Sequence, residues 1–169
     1  MKRTGFRKKT FSEIKEAKAS KPKVAKKKRT TGQIKPFKTK LWECCKQIIR
    51  LKYGNTCYTC GKTGLEGGGW HTGHFIPSSV GGHSLRYSLD NLRPQCYHCN
   101  INLSGNGSQF YRNLVEREGQ EYVDNLFKLK NQLIKADEHW YREKIASYTL
   151  LLQELQKADK PTKQNLFYY

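Results

Sequence analysis

The chain has 169 residues, of which 36% are hydrophobic, and 32 Lys and Arg stand against 14 Asp and Glu, giving a formal net charge of +18. Its mean hydropathy is −0.84, and no apolar stretch approaches the roughly 18 residues that a transmembrane helix needs, so an integral membrane protein is excluded. The length suggests one domain with a tail.

The positive charge is concentrated in residues 1–40, which hold 16 Lys and Arg and two Glu, a net charge of +14, whereas residues 41–169 carry only +4. A segment so basic and so poor in apolar side chains cannot bury enough surface to offset its chain entropy. We therefore predict a disordered DNA-binding arm over residues 1–38. The charge of this arm is densest at Lys26, Lys27, Lys28 and Arg29. A tail that only keeps the protein in solution is the alternative.

A helix of about 13 residues is predicted after the arm, because apolar side chains recur there at helical spacing and Gly54 follows as a stop. These side chains are Leu41, Cys44, Cys45, Ile48 and Leu51. Cys44 and Cys45 fall on the apolar face of this helix, so we interpret them as buried core residues rather than metal ligands.

Four cysteines form two pairs, Cys57-x2-Cys60 and Cys96-x2-Cys99, separated by 35 residues. No apolar segment typical of a secretory signal follows Met1, so we expect reduced thiols and a cytoplasmic protein. Two such pairs suit a tetrahedral zinc ion. Structural zinc contributes on the order of 10 kcal/mol to folding, so we predict that this ion holds the small core together.

Between the cysteine pairs, residues 70–76 are predicted to form a strand that ends at Pro77. Residues 78–90 are predicted to form a loop or a second strand with its bend at Gly81-Gly82, which would complete a hairpin. A short helix should follow the second cysteine pair and stop at Gly105.

Three amphipathic helices are predicted in the C-terminal third, the first closed by Gly119 and the last begun by an N-cap at Asp137. Their apolar faces comprise, in turn, Phe110, Tyr111, Leu114 and Val115; Val123, Leu126, Phe127 and Ile134; and Tyr141, Ile145, Tyr148, Leu152 and Leu155.

The segment between the cysteine pairs also carries a motif, Trp70-His71-Thr72-Gly73-His74-Phe75-Ile76-Pro77, followed by Asn91 and Asn100. This order of His, Pro, Asn and Asn, set among four cysteines, resembles the HNH, or ββα-metal, nucleases over residues 57–106. The resemblance implies an α+β fold. A zinc-stabilised ββα-metal core with its preceding helix would occupy residues 39–106, and C-terminal helices would occupy residues 107–169.

A narrower resemblance covers residues 37–126. It is carried by Gly73-His74, Leu85-Arg86-Tyr87, Gln95-Cys96, Cys99-Asn100, Leu103-Ser104-Gly105-Asn106, Tyr111-Arg112 and the spacing to Gly119. In these motifs the chain is similar to the phage NinG/Rap family of recombination nucleases. The resemblance implies a phage-encoded endonuclease that acts in the host cytoplasm on branched recombination intermediates, such as D-loops and Holliday-type junctions.

The roles of three residues follow from the chemistry of phosphodiester hydrolysis, which needs a deprotonated water and a cation that neutralises developing charge. An imidazole with an ordinary pKa near ~6.5 suits the base at neutral pH, so we assign that role to His74. The amide oxygen of Asn100 is predicted to bind Mg²⁺ or Mn²⁺. By the family resemblance, Asn91 would orient the imidazole of His74 or hold its loop.

Gly73 departs from the HNH pattern, because many of these enzymes carry an acidic metal ligand directly before the His. Residues 71 and 73 share one face of the strand, so His71 could supply the missing ligand and would favour Mn²⁺. The alternative for His71 is a partly exposed strand residue without a metal role.

Basic side chains near the predicted site are candidates to contact DNA phosphates, and ordinary surface cations are the alternative. These are Arg86, Arg93 and Arg112. His83 is interpreted as a solvated loop residue or a phosphate contact. His98, between the second pair of cysteines, is not expected to bind zinc.

These features favour a metal-dependent, structure-selective DNA endonuclease. A non-catalytic zinc-stabilised DNA-binding module that assists recombination is the second hypothesis, because of the missing acid at Gly73. A restriction-like or homing nuclease would need a sequence-reading element, and none is identifiable; RNA is left open as a substrate. Recombination proteins are expected partners and membranes are not. A two-fold symmetric junction would favour a homodimer, although no clear heptad supports one.

Overall fold

The computed structural model describes residues 31–158, so the predicted arm with Lys26, Lys27, Lys28 and Arg29 lies outside the described residues. Helix α1, Thr31–Tyr53, is 23 residues long and thus longer than predicted. It includes residues 31–38, which the charge pattern had assigned to the arm. The predicted stop is confirmed, because Gly54 has a φ of +68°.

Two antiparallel strands, β1 (Trp70–His74) and β2 (Leu92–Cys96), form the sheet of the described chain. His71 pairs with Gln95 and His74 pairs with Leu92. Since side chains alternate along a strand, His71, Gly73 and Gln95 share one face of the sheet, and His74 lies on the other.

The segment between the strands corrects the prediction of a loop or second strand. Helix α2 occupies Ser78–Arg86 and is kinked at Gly82, where φ is 59° and ψ is −155°. The bend predicted at Gly81-Gly82 is present, but it is a kink between two helical turns and not the turn of a hairpin. The second strand therefore begins only at Leu92, after a 3-10 turn at Leu89–Asn91.

The segment after β2 differs from a regular ββα unit. A π-helical turn of five residues, His98–Asn102, follows the second cysteine pair. Ser104 and Asn106 then have φ values of 48° and 47°, and Gly105 has 91°. A right-handed helix cannot continue through three left-handed residues, so the short helix predicted after the second cysteine pair is present as a single turn that carries Asn100 and ends before Gly105.

The C-terminal helices agree with the predicted order. They are α3 (Gly107–Glu118), α4 (Gln120–Lys130) and α5 (Glu138–Ala158). Gly119 separates the first two with a φ of +91°, a conformation that is costly for residues with a side chain. Asp137 caps α5 as predicted, because its Oδ1 accepts a hydrogen bond from Trp140 N at 3.1 Å. Ile134 lies beyond the end of α4.

The described residues pack into three neighbouring apolar clusters. Helices α1 and α5 form the largest, around Cys45, Ile48 and Tyr141. A second joins α3 and α4 to Tyr58, Ile76 and Leu85, and the smallest comprises Cys57, Leu65, Cys96 and Cys99. The hairpin is therefore held between two helical layers. None of the described helices is long and apolar enough to cross a membrane.

Candidate functional site

The four predicted zinc ligands come together, with the sulfur atoms of Cys57, Cys60, Cys96 and Cys99 all within 4.8 Å of one another. All four cysteines are free. The Sγ atoms of Cys60 and Cys96 are 3.8 Å apart, and Zn–S bonds of about 2.3 Å place tetrahedral sulfur ligands about 3.8 Å apart. The cluster therefore has the spacing to hold a zinc ion.

Backbone N–H groups favour the thiolate of Cys57, whereas burial raises the pKa of its partner Cys60. Burial raises the pKa of the Cys57 thiol, but hydrogen bonds from the backbone at Cys60, Cys96 and Thr59 outweigh burial and lower this pKa to about 7. Helix α3 fixes the same turn, because Asn113 Nδ2 donates to the carbonyl oxygens of Tyr58 and Thr59. The turn is thus shaped by protein contacts as well as by the cysteines.

His74 is held at the end of β1 by two contacts. Its Nε2 lies 3.0 Å from the carbonyl oxygen of Arg86, and its ring is stacked on Trp42 of α1, with centroids 5.3 Å apart and planes within 3°. A carbonyl oxygen only accepts hydrogen bonds, so Nε2 must carry the proton and Nδ1 of the neutral ring has its lone pair available. Burial lowers the pKa of His74 below its usual 6.5, and the Arg86 charge adds to this.

Asn91 is fully buried and acts on the backbone around His74 rather than on the imidazole. Its Oδ1 accepts from Ile76 N at 2.8 Å, and its Nδ2 donates to the carbonyl oxygens of Ile76 and Leu85 at 2.9 and 3.1 Å. The side chain therefore joins the segment just after His74 to the peptide just before Arg86. Of the two predicted roles, this geometry favours holding the loop.

Asn100 lies beside the end of β1, but no hydrogen bond joins its amide to His74 within the described residues. Its backbone oxygen accepts from Gly105 N at 3.1 Å, and a Cβ at Gly105 would lie 3.9 Å from the carbonyl oxygen of His74. The turn thus approaches the backbone of His74, while the imidazole itself points to α1.

Gln95 fills the space that a side chain at residue 73 would need. A Cβ at Gly73 would overlap Gln95 Oε1 and lie 2.6 and 2.8 Å from its Cδ and Cγ. Gln95 Nε2 donates to Thr59 Oγ1 and to the Gly105 oxygen, and its buried Oε1 has no hydrogen-bond partner among the described residues. Glycine is required at residue 73 because the Gln95 amide passes over this position. That amide connects Thr59, in the turn between Cys57 and Cys60, to Gly105, in the turn after Asn100.

We expect Gly73→Ala to destabilise the fold by about 1–3 kcal/mol, because an added methyl group must displace a buried side chain. Gln95→Ala should also destabilise the fold, because two hydrogen bonds are lost. The double variant should lose less stability than the sum of the two single variants, since the methyl group at residue 73 no longer overlaps the Gln95 side chain. Chemical denaturation of the four proteins measures this coupling. Gly69→Ala, whose Cβ meets nothing within 4 Å, is the control; strict additivity would contradict the account.

His71 is engaged on the opposite face of the sheet from His74. Its Nε2 is 3.0 Å from the carbonyl oxygen of Gly68, and its ring meets Tyr97 edge-on with centroids 5.6 Å apart. The structure thus places the His71 ring beside Tyr97, which lies between the second pair of cysteines, whereas His74, the proposed base, faces α1. The role of His71 as a ligand of a catalytic ion stays a prediction.

Arg93 corrects the group of predicted DNA contacts, because its side chain is only 1% exposed. Its NH2 group donates to Glu118 Oε1 at 2.9 Å, and its NH1 group donates to three backbone carbonyl oxygens. A guanidinium enclosed in this way cannot reach a phosphate. Arg86 and Arg112, in contrast, are exposed, so their predicted contacts with DNA remain open to test.

Two residues of the site were missed at the level of sequence. Trp42 was not assigned to the apolar face of α1, yet it lies one helical turn after Lys38 and covers His74. Gln95 was quoted only as part of a motif, although a polar residue inside a strand next to a cysteine ligand could have indicated a buried role.

Comparison with known proteins gives consistent matches to one family. The family model described as Bacteriophage Lambda NinG protein matches residues 1–159. Over 70 residues the chain is 34% identical to Protein ninG of Escherichia phage lambda, a stretch that covers 41% of this chain and 33% of that protein. Protein ninG of Escherichia phage 933W matches with the same identity and coverage. The aligned stretch thus spans about a third of these curated relatives. No solved structure matches the chain.

Proposed function

This chain belongs to the NinG family of phage proteins, and on that premise we propose that it is a metal-dependent endonuclease that cuts branched DNA formed during recombination. The observation that carries the proposal is the geometry of His74. Its proton is held on Nε2 by the Arg86 carbonyl oxygen, while its lowered pKa keeps the ring neutral near pH 7. A neutral imidazole with one fixed basic nitrogen is suited to deprotonate a water molecule.

The second requirement of the reaction is a cation at the scissile phosphate. Mg²⁺ or Mn²⁺ would supply charge neutralisation there, and the Asn100 amide is our candidate protein ligand for it. The oxygen offered by Asn100 belongs to an amide and carries no charge, and Gly73 supplies no carboxylate. Such a donor fits a hard ion that keeps most of its ligands as water and phosphate oxygens.

The proposal is tested by comparing the native, zinc-loaded chain with His74→Ala on a labelled D-loop and a Holliday-type junction, in Mg²⁺, in Mn²⁺ and with neither ion added. Loss of a general base lowers rates by about 10²–10⁴-fold, so we expect metal-dependent cutting that falls by this factor in the variant. His139→Ala is the matched control, because His139 is an exposed histidine of α5 paired with Glu143, and it should cut like the native chain.

The pH profile gives an independent test of the same base. The reaction needs neutral His74, so the rate should fall as pH decreases through the His74 pKa. Because burial lowers this pKa below 6.5, cleavage at pH 6.5 should still exceed half of its plateau value. A rate that continues to rise well above pH 7 would contradict the assignment of His74.

A non-catalytic DNA-binding module is the second candidate, and the overlap of Gln95 with the space above Gly73 favours it. With that space filled, the chain cannot carry a carboxylate ligand at residue 73 without rearrangement. If the native chain and His74→Ala bind branched DNA equally and neither cuts any branched, single-stranded or duplex substrate, the module replaces the nuclease.

A further inference from the structure

A cationic cavity lies between α1 and α2, beside the residues that hold His74. Its volume is about 240 Å³. The cavity is lined by Lys38, Ser78, Gly82, His83, Arg86 and Tyr87. Two permanent cations and an imidazole thus face one open space that has no carboxylate in its lining.

Within the part of the chain that the structure describes, the charges in this cavity are not balanced by acidic side chains. Among residues 31–158, neither Lys38 nor Arg86 forms an ion pair with an acidic side chain. Besides burial, the positive charges of these two residues lower the pKa of His83, which shows that the three groups repel one another. An anion between them would remove that repulsion and add charge-assisted hydrogen bonds.

The cavity is connected to the proposed base through two elements. The carbonyl oxygen of Arg86 accepts the hydrogen bond from His74, and Trp42, which covers the His74 ring, lies one helical turn after Lys38 on α1. Residues four apart on a helix share one face. The elements that position the imidazole therefore also bring the cations to the cavity.

Arg86 is itself held in place by a rigid neighbour. Its guanidinium lies 5.7 Å from the centroid of the Tyr87 ring. Tyr87 is 3% exposed, and its backbone oxygen accepts a hydrogen bond from Tyr148 Oη at 2.7 Å. The Arg86 side chain therefore extends over a buried ring that α5 fixes.

We infer that Lys38, His83 and Arg86 form a binding site for one backbone phosphate of a nucleic acid, next to the phosphate attacked by the water that His74 would deprotonate. The inference rests on the proposed nucleic-acid substrate, but it does not require cleavage. Its function is to fix the strand so that the scissile bond lies beside the imidazole.

Binding of the full, zinc-loaded chain to a DNA junction, with no Mg²⁺ or Mn²⁺ added, tests this site without cleavage. We compare native protein, Lys38→Gln, Arg86→Gln and the double variant, with Lys157→Gln, an exposed cation at the end of α5, as the matched control. Each neutralised phosphate contributes about −0.9 to the slope of log K against log[salt] for duplex DNA. Each single variant should weaken binding, and the double variant should reduce the slope by about one.

The outcomes separate the inference from its alternatives. The site would be overturned if the slope of log K against log[salt] were unchanged in the double variant, or if Lys157→Gln changed it equally. A reduction of the slope by about two would mean that Lys38 and Arg86 contact two separate phosphates instead of sharing one. Thermal unfolding checks that each variant folds. If the double variant does not fold, the binding of the two single variants decides whether the site exists. If the slope falls in the double variant as expected but the native chain never cuts DNA, the phosphate site stands and the proposed nuclease fails. If the native chain cuts DNA but the slope is the same in the double variant, the nuclease stands and the phosphate site fails.

The ring of His83 provides a second measurement. NMR titration should show its pKa rising when junction DNA is added, because the bound phosphate offsets the charges of Lys38 and Arg86. Inorganic phosphate at equal concentration should have a much smaller effect. An equal rise with inorganic phosphate would mean a site for free phosphate, and no rise with DNA would contradict a phosphate between these residues.

Discussion

Zinc removal is expected to unfold the segment from Cys57 to Asn106. The four thiolates meet there around a cluster of only four buried residues, and structural zinc contributes on the order of 10 kcal/mol to folding, comparable to the whole stability of an ordinary domain. Chelation, or Cys96→Ser, should therefore abolish the dispersed NMR signals of this segment. Metal analysis should find about one zinc per native chain.

Cys44→Ala is the matched control for the zinc prediction. Cys44 is a buried cysteine of α1 that belongs to a different cluster, so this variant should retain one zinc and melt only slightly earlier. A native chain that contains no zinc, or a Cys96→Ser variant that keeps its zinc and its signals, would contradict the predicted metal site.

Replacement of Arg93 is expected to destabilise the chain by more than about 1–3 kcal/mol, which is the cost of leaving one buried acceptor without its donor. The guanidinium lies 4.7, 5.3 and 5.7 Å from the ring centroids of Tyr53, Tyr58 and Tyr122. Arg93→Ala would leave the carbonyl oxygen of Leu92, which is buried, those of Leu89 and Asp90, which are partly buried, and Glu118 without this donor. Chemical denaturation measures the loss.

Arg117→Ala is the control for Arg93. Arg117 is exposed and its guanidinium is 4.6 Å from the centroid of the same Tyr58 ring, so the variant removes a cation and an aromatic contact without leaving buried groups unpaired. Its cost should stay below about 1 kcal/mol. Equal losses in the two variants would mean that burial of Arg93 has no special energetic role.

The sequence predicted those parts of the molecule that depend on local spacing. The cysteine pairs, the Gly54 and Gly119 stops and the Asp137 cap follow from patterns of a few residues, and the structure confirms the sulfur cluster and the three local signals. The partners of Asn91 could not be predicted, because an amide can bind either a side chain or the backbone.

The parts that were missed depend on contacts between distant segments. In the sequence, nothing distinguishes Arg93 from an exposed arginine. Its burial becomes apparent only when folding brings Tyr53, Tyr58 and Tyr122 around its guanidinium. The double glycine at Gly81-Gly82 is compatible with a hairpin bend and with a helix kink. Lys38 was assigned to the arm because charge density alone does not show where a helix begins.

The separation of the two cysteine pairs also affects how the protein is made. Cys60 and Cys96 are 36 residues apart, and chains are synthesised at about 5–20 residues per second. The first pair therefore waits about 2–7 seconds for the second, and its turn is completed only when Asn113 has also been added. During that interval Cys57 lacks the backbone donor at Cys96, one of the groups that lower its pKa in the finished fold. The nascent thiol is consequently less reactive toward oxidants and stray metal ions than the folded one would be without zinc.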